Sequence, residues 1–341
     1  MPSGSWTRRE FNRNALFAAA GASRFGAQEP AEEKAAPVAL VKLPDRINAM
    51  RTAFDLLEHA PLEGKDIYLK GNFTSADPYP VTSHPDALKG VVGLLRSRSC
   101  ARILLAERST IGTTRSVWDK LGITSLARSM DVTLVALDDM PAGEWRTELL
   151  PGSHWKNGIE VPKFLTRETC VVQICNLKTH RFGGLFSASL KNSIGLIAKH
   201  STAGPRYNYM AELHASPHQR LMIAEVNQVC APALVIMDAM RVFIDAGPDR
   251  GEVASPEVVV MSQDRVAVDA VGVALLRIYG AAAPLNRGNI FDQEQLKRAA
   301  ELGLGVKSGK AIRFLTPDDP SALIVSQIEG VLSEASERNK P

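Results

Sequence analysis

Cys170-Val171-Val172-Gln173-Ile174 runs through Cys175 into Asn176-Leu177-Lys178-Thr179-His180, and the character of this stretch decides the fold. Its first part is nearly all apolar, with no alternation of polar and apolar residues. That is the pattern of a strand covered on both faces, as in a parallel sheet flanked by helices. Val258-Val259-Val260-Met261 has the same character. Outward from these runs, further β-branched segments recur at 38–43, 66–69, 102–106, 132–136, 233–237 and 311–315. Helical patterns fall between them at 46–58, 85–98, 115–121, 187–197, 217–229, 265–279, 293–301 and 320–337. In the last of these, Leu323, Ile324, Ile328 and Leu332 recur at helical spacing and are expected to be buried. Strands alternating with helices predict an α/β fold, a mainly parallel sheet with helices on both faces, built as two α/β halves.

The organisation expected is an export signal and linker over 1–33, a first half over 34–140, an inserted hairpin or loop over 141–166, and a second half over 167–341. Thr7-Arg8-Arg9-Glu10-Phe11-Asn12-Arg13 resembles a twin-arginine export signal, and a mild apolar run follows at 15–22. That run suits a signal core and is far shorter than the ~20 residues that cross a bilayer. The reading therefore predicts a periplasmic protein that meets the twin-arginine export machinery and has no stable membrane span.

Lys and Arg number 40 against 37 Asp and Glu, and the formal excess of +3 is spread along the chain with no basic run. Aromatic residues make up 6%, too few to suggest a stacking platform, so nucleic acid is not an expected partner. Cys100, Cys170, Cys175 and Cys230 contain no C-x-x-C pair. On one extended segment Cys170 and Cys175 would lie roughly 16 Å apart, beyond disulfide reach. They read as ordinary buried cysteines, and no iron–sulfur cluster bound by this chain alone is expected.

In an open parallel sheet, ligands bind beyond the carboxyl ends of the strands. Those positions here are polar: Lys70 and Asn72, Glu107 and Arg108, Asp138 and Asp139, Asn176 to His180, Asp238, and Ser262 to Asp264. The densest segment begins with Lys178 and His180, two apart on one strand face. Gly183-Gly184 permits a turn and close approach to backbone, and a helix starting near Ser187 would carry Lys191 and Asn192. Phosphate-loop, dinucleotide-fold and serine-hydrolase motifs are absent.

The Asn176–His180 block together with Ser189-Leu190-Lys191-Asn192-Ser193-Ile194-Gly195 resembles the signature of a bacterial family called domain of unknown function 362. Further matching blocks are Lys70-Gly71-Asn72, His84-Pro85, Asp238 before Ala246-Gly247-Pro248, Asp264-Arg265-Val266-Ala267-Val268-Asp269, and 300–305. The resemblance implies an α/β fold. Some members of that family also carry a ferredoxin-like cluster module, for which this sequence has no cysteine array.

The residue types support three functional readings. The first is an exported enzyme acting on a small anionic substrate, carboxylate or phosphate, by His/Asp/Lys acid–base chemistry, with the reaction type open. His180, His218, Lys178 and Asp264 are its catalytic candidates, and Lys70, Asn72, Asn176, Lys191 and Asn192 its substrate-binding candidates. Asp264 also reads as a helix cap. Asp238 and Asp269 are candidate ligands of a divalent metal. A carboxylate on the apolar 265–279 helix must be paired, and Lys178 or Lys191 is the expected partner of Asp269. His214 and His218, four apart, have zinc spacing, but Pro217 lies between them. The other readings are a non-catalytic periplasmic small-anion binding protein and a cofactor-maturation factor.

Overall fold

The computed structural model describes residues 33–58 and 62–337. The twin-arginine-like segment and the apolar run at 15–22 lie outside the described residues. The first strand and helix are β1 (Ala36–Lys42) and α1 (Arg46–Asp55), followed by β2 (Asp66–Lys70), α2 (Pro85–Ser97) and β3 (Arg102–Glu107). Next come α3 (Thr114–Lys120), α4 (Ile123–Ser129) and β4 (Thr133–Ala136), then a separate hairpin of β5 (Trp145–Glu148) and β6 (Ile159–Pro162) within 141–166. The chain continues with β7 (Val171–His180), β8 (Leu185–Ser187), α5 (Ser189–Asn192), α6 (Tyr209–Ala215), α7 (Gln219–Glu225), β9 (Pro232–Phe243) and β10 (Val253–Ala254). It ends with β11 (Val258–Ser262), α8 (Arg265–Ile278), α9 (Glu294–Glu301), β12 (Ile312–Leu315) and α10 (Asp319–Glu337).

The main sheet runs in the order β12-β1-β11-β9-β7-β2-β3-β4, with β8 added to β7 and β10 to β9. From β9 to β4 every neighbouring pair is parallel. β12 is parallel to β1, whereas β11 runs against both β1 and β9. The fold is thus a mainly parallel mixed sheet. The 34–140 and 167–341 stretches share it, because β1 lies across between β12 and β11, away from β2 to β4.

Apolar runs without alternation place side chains in two cores. Val171, Cys175, Val258 and Val260 face one, with α8 and α10; Val172, Ile174, Val259 and Met261 face the other, with α1, α2 and α3. Burying apolar side chains on both sides stabilises the sheet by roughly 25 cal/mol per Å² removed from water. All four cysteines are free, and three of them are buried.

Several local expectations differ from the structure. β7 and β9 run past 174 and 237 to His180 and Phe243, so the Asn176–His180 block is strand. Helices α4 and α6 lie outside the helical patterns of the sequence. In α10, Ile324, Ile328 and Leu332 are buried as expected, but Leu323 is 63% exposed on the adjacent face.

Asp264 sits at the start of α8 with both carboxylate oxygens occupied: Oδ1 accepts from Ala267 N at 2.8 Å and Oδ2 from Val306 N at 2.8 Å. Removing it leaves two backbone donors without their partner. Asp264→Ala is expected to lower unfolding stability by about 1–3 kcal/mol in urea denaturation. A loss below a few tenths would show that the cap and the Val306 tie do not contribute.

Candidate functional site

Strand direction assembles the site. β2, β3 and β7 are parallel, so their carboxyl ends lie at one edge of the sheet and bring Lys70, Glu107, Lys178 and His180 together. The short turn of α5 adds Lys191 and Asn192. The result is a cavity of about 80 Å³ lined by these six residues together with Asn72, Arg108, Gly195 and Pro248, among others. Its size suits a molecule of a few heavy atoms.

Its floor is a buried ion pair. Lys70 Nζ donates to Glu107 Oε2 at 2.8 Å, to Gly71 O at 2.6 Å and to Asn192 Oδ1 at 3.1 Å. Glu107 also accepts from Phe73 N at 3.0 Å and Arg108 N at 2.9 Å. Burial pushes the ammonium down and the carboxyl up, and their contact opposes both shifts. Asn192 is fixed further by donating to Ile174 O at 3.2 Å. The buried Arg108 guanidinium donates to Ile194 O at 2.6 Å and Ile197 O at 3.0 Å.

The remaining cavity groups are less committed. Lys178 Nζ donates to Val81 O, and burial and then the neighbouring Lys191 lower its pKa to about 7. Lys191 is half-buried and makes no hydrogen bond or ion pair with the described residues; burial and then Arg108 bring it to about 8. Burial, then Lys191 and Lys178, hold His180 well below the usual imidazole value. His180 is 7% exposed, and its Nδ1 is buried without a hydrogen-bond partner. The Asn72 side chain likewise makes no hydrogen bond with the described residues. Four cationic side chains thus face a cavity with one carboxylate, itself already paired. The lining is therefore cationic in balance.

The model of the family described as "Domain of unknown function (DUF362)" matches residues 67–274. The chain belongs to this family. In fold it is similar to the lactate racemase apoprotein from Thermoanaerobacterium thermosaccharolyticum, at 17% identity and a TM-score of 0.41 over 68% of this chain and 55% of that one. It is also similar to a protein from Thermotoga maritima, at 14% identity and a TM-score of 0.39 over 75% and 58%. The chain therefore spans little more than half the length of either structure. No curated protein matches it.

Only some of the DUF362 blocks quoted from the sequence reach this cavity. Lys70, Asn72, Lys178, His180, Lys191 and Asn192 line it. Asn176 does not: it lies below, holding the loop over strand β7 by donating to Pro80 O at 3.3 Å and Thr82 O at 3.0 Å. Asp264 is at the opposite edge, because β11 runs antiparallel to β9. Asp238 is interior to β9, which extends beyond the expected end, and it accepts from Arg46 Nε at 2.8 Å and Tyr79 Oη at 2.9 Å.

Asp269 is not paired with Lys178 or Lys191. Its carboxylate accepts from Ser189 N at 2.7 Å and Leu190 N at 3.1 Å, while burial raises its pKa to about 6. Asp238 and Asp269 are therefore not offered as metal ligands, and among the described residues no three His, Cys, Asp or Glu form a metal-binding group. His218 is exposed, its ring 4.4 Å from that of His154, and does not line the cavity. Glu107 and Arg108 are strand-end residues in sequence, but only the fold reveals their role as bracket and fixed charge.

Gly195, the last residue of the Leu-Lys-Asn-x-x-Gly block, has no room for a side chain. A Cβ there would press on Glu107 Oε1 and stand 2.7 Å from Lys70 Cε. Gly195→Ala is expected to cost about 2–5 kcal/mol by displacing the buried pair, read as a lower urea midpoint. Gly93→Ala, in open space on α2, is the contrast and should be neutral or stabilising by up to about 1 kcal/mol. Equal effects in the two variants would contradict this account of the floor.

Proposed function

We propose that this DUF362 protein is an enzyme acting on a small carboxylate or phosphate, bound by Lys178 and Lys191 over the Lys70–Glu107 floor. The observation that carries the reading is the excess of cationic groups around a small cavity whose only carboxylate is already paired. Arg108 supplies a fixed positive charge, and the unpaired amide of Asn72 orients the ligand. His180 is the acid–base group. Burial, then the two lysine ammoniums, hold its imidazole neutral, so its ring nitrogen is free to act as a proton acceptor. An anion entering the cavity offsets those ammoniums, which makes the bound-state imidazole a stronger base. The twin-arginine-like leader supports export to the periplasm as part of the same proposal. Among the described residues no helix is long and apolar enough to cross a membrane.

Calorimetric titration with acetate and with inorganic phosphate tests the site. Saturable binding is expected, and Lys178→Ala and Lys191→Ala should each weaken it about tenfold or more, a factor worth roughly 1.4 kcal/mol. Acetate stays ionised across neutral pH, so its pH dependence reports the protein. Affinity should be greatest with both lysines protonated and fall as the pH rises through about 7 and about 8. Unchanged affinity in both variants, or affinity rising over that window, removes the proposal. Once a substrate is found, His180→Ala should abolish turnover with little change in affinity.

A further inference from the structure

Of the four cationic side chains that line the cavity, three have fixed partners and one does not. All three donors of Lys70 are taken, by Glu107, Gly71 and Asn192. Arg108 is tied to the carbonyls of Ile194 and Ile197, and Lys178 to that of Val81. Lys191 makes no hydrogen bond or ion pair with the described residues. An amine needed only to anchor the turn would be bonded to it. Beside it stands another uncommitted group of the cavity, His180 Nδ1, buried and without a partner among the described residues. The two border one point of the hairpin: a Cβ on Gly184 would stand 3.2 Å from Lys191 Cε and 3.4 Å from His180 Nδ1.

We propose that Lys191 is an imine-forming lysine, whose amine condenses with the carbonyl of a small 2-oxo acid held in this cavity. The proposal rests on the anion-site reading and adds the substrate class and the covalent step. Desolvation next to other cations is the setting that frees a lysine amine for attack on a carbonyl. Here burial and Arg108 act together on Lys191, so about one amine in ten is unprotonated at pH 7, against fewer than one in a thousand for an ordinary lysine. The acid's carboxylate meets Lys178, and the cavity of about 80 Å³ suits two or three carbons.

The step balances without an oxidant or reductant. The nitrogen lone pair forms the C–N bond and one of the two amine protons passes through His180 Nδ1 to the carbonyl oxygen, giving a neutral carbinolamine. His180 Nδ1 then accepts the second nitrogen proton and delivers it to the hydroxyl, which leaves as water as the C–O bond breaks and the C=N bond forms. The product is an imine and one water molecule. Protonated, the imine draws electrons from bonds next to the former carbonyl carbon, favouring proton removal or carbon–carbon cleavage there.

The test uses the full chain with glyoxylate as probe and cyanoborohydride as trap at pH 7, followed by peptide mass spectrometry. Reduction of the imine leaves N-carboxymethyl-lysine. The expected result is labelling of Lys191 at least about tenfold faster than of the exposed Lys120 and Lys297, suppressed by saturating acetate. Labelling of Lys191 no faster than of those two, or preferential labelling of Lys178, overturns the proposal. Lys191→Arg has no amine that can form an imine, so it should lose the fast label. Acetate titration separates the two readings. Acetate binding without fast trapping removes the imine and leaves the anion site, and absence of both removes both.

Discussion

A buried ammonium held 2.8 Å from a buried carboxylate, Lys70 against Glu107, is the contact on which the cavity depends. Either charge alone at that depth would cost several kcal/mol, and the pair is tolerable only because the remaining donors and acceptors are also satisfied. Phe73 N, Arg108 N, Gly71 O and Asn192 Oδ1 do this. Those partners come from the loop after β2, the residue that follows β3, and α5. The pair therefore ties two strand ends to the turn that carries Lys191. It also neutralises one lysine, so the field in the cavity comes mainly from Arg108, Lys178 and Lys191.

Asp269 acts similarly one layer away. A carboxylate in an otherwise apolar helix must find partners, and the partners it finds are backbone N–H groups at the start of α5. This explains why two sequence blocks some eighty residues apart belong together: the acid of one holds the turn of the other. Lys191 is presented by a four-residue helix that has little stability of its own, so a tertiary carboxylate must hold it.

Legibility in the sequence differed between types of residue. β7 and β11 could be recognised because strands buried on both faces must be apolar throughout. Lys178 and His180 could be paired because alternate residues of a strand share a face, and they do line one cavity. Misplacement arose where strand direction or length mattered. Asp264 follows β11 just as Lys70 follows β2, and nothing local distinguishes them; only pairing shows that β11 runs the other way. Asp238 looked terminal because an acidic residue interrupts an apolar run, yet β9 continues to Phe243, with Arg46 and Tyr79 supplying its partners. His218 belonged to a helix start, but that start faces solvent beside His154.

The sequence by itself determined the α/β class, the two-sided burial of the sheet, the absence of a disulfide framework, and the segment from which Lys178, His180, Lys191 and Asn192 come. These follow from local periodicity and residue chemistry, which leave their mark within a dozen residues. The tertiary structure alone decided which charged groups are neutralised and which are left uncommitted. Lys70 and Lys191 have the same side chain, and one is paired while the other is not, because Glu107 arrives from a different strand to meet the first. Charge pairing depends on distances of a few ångströms between residues far apart in the chain, and no local pattern records them.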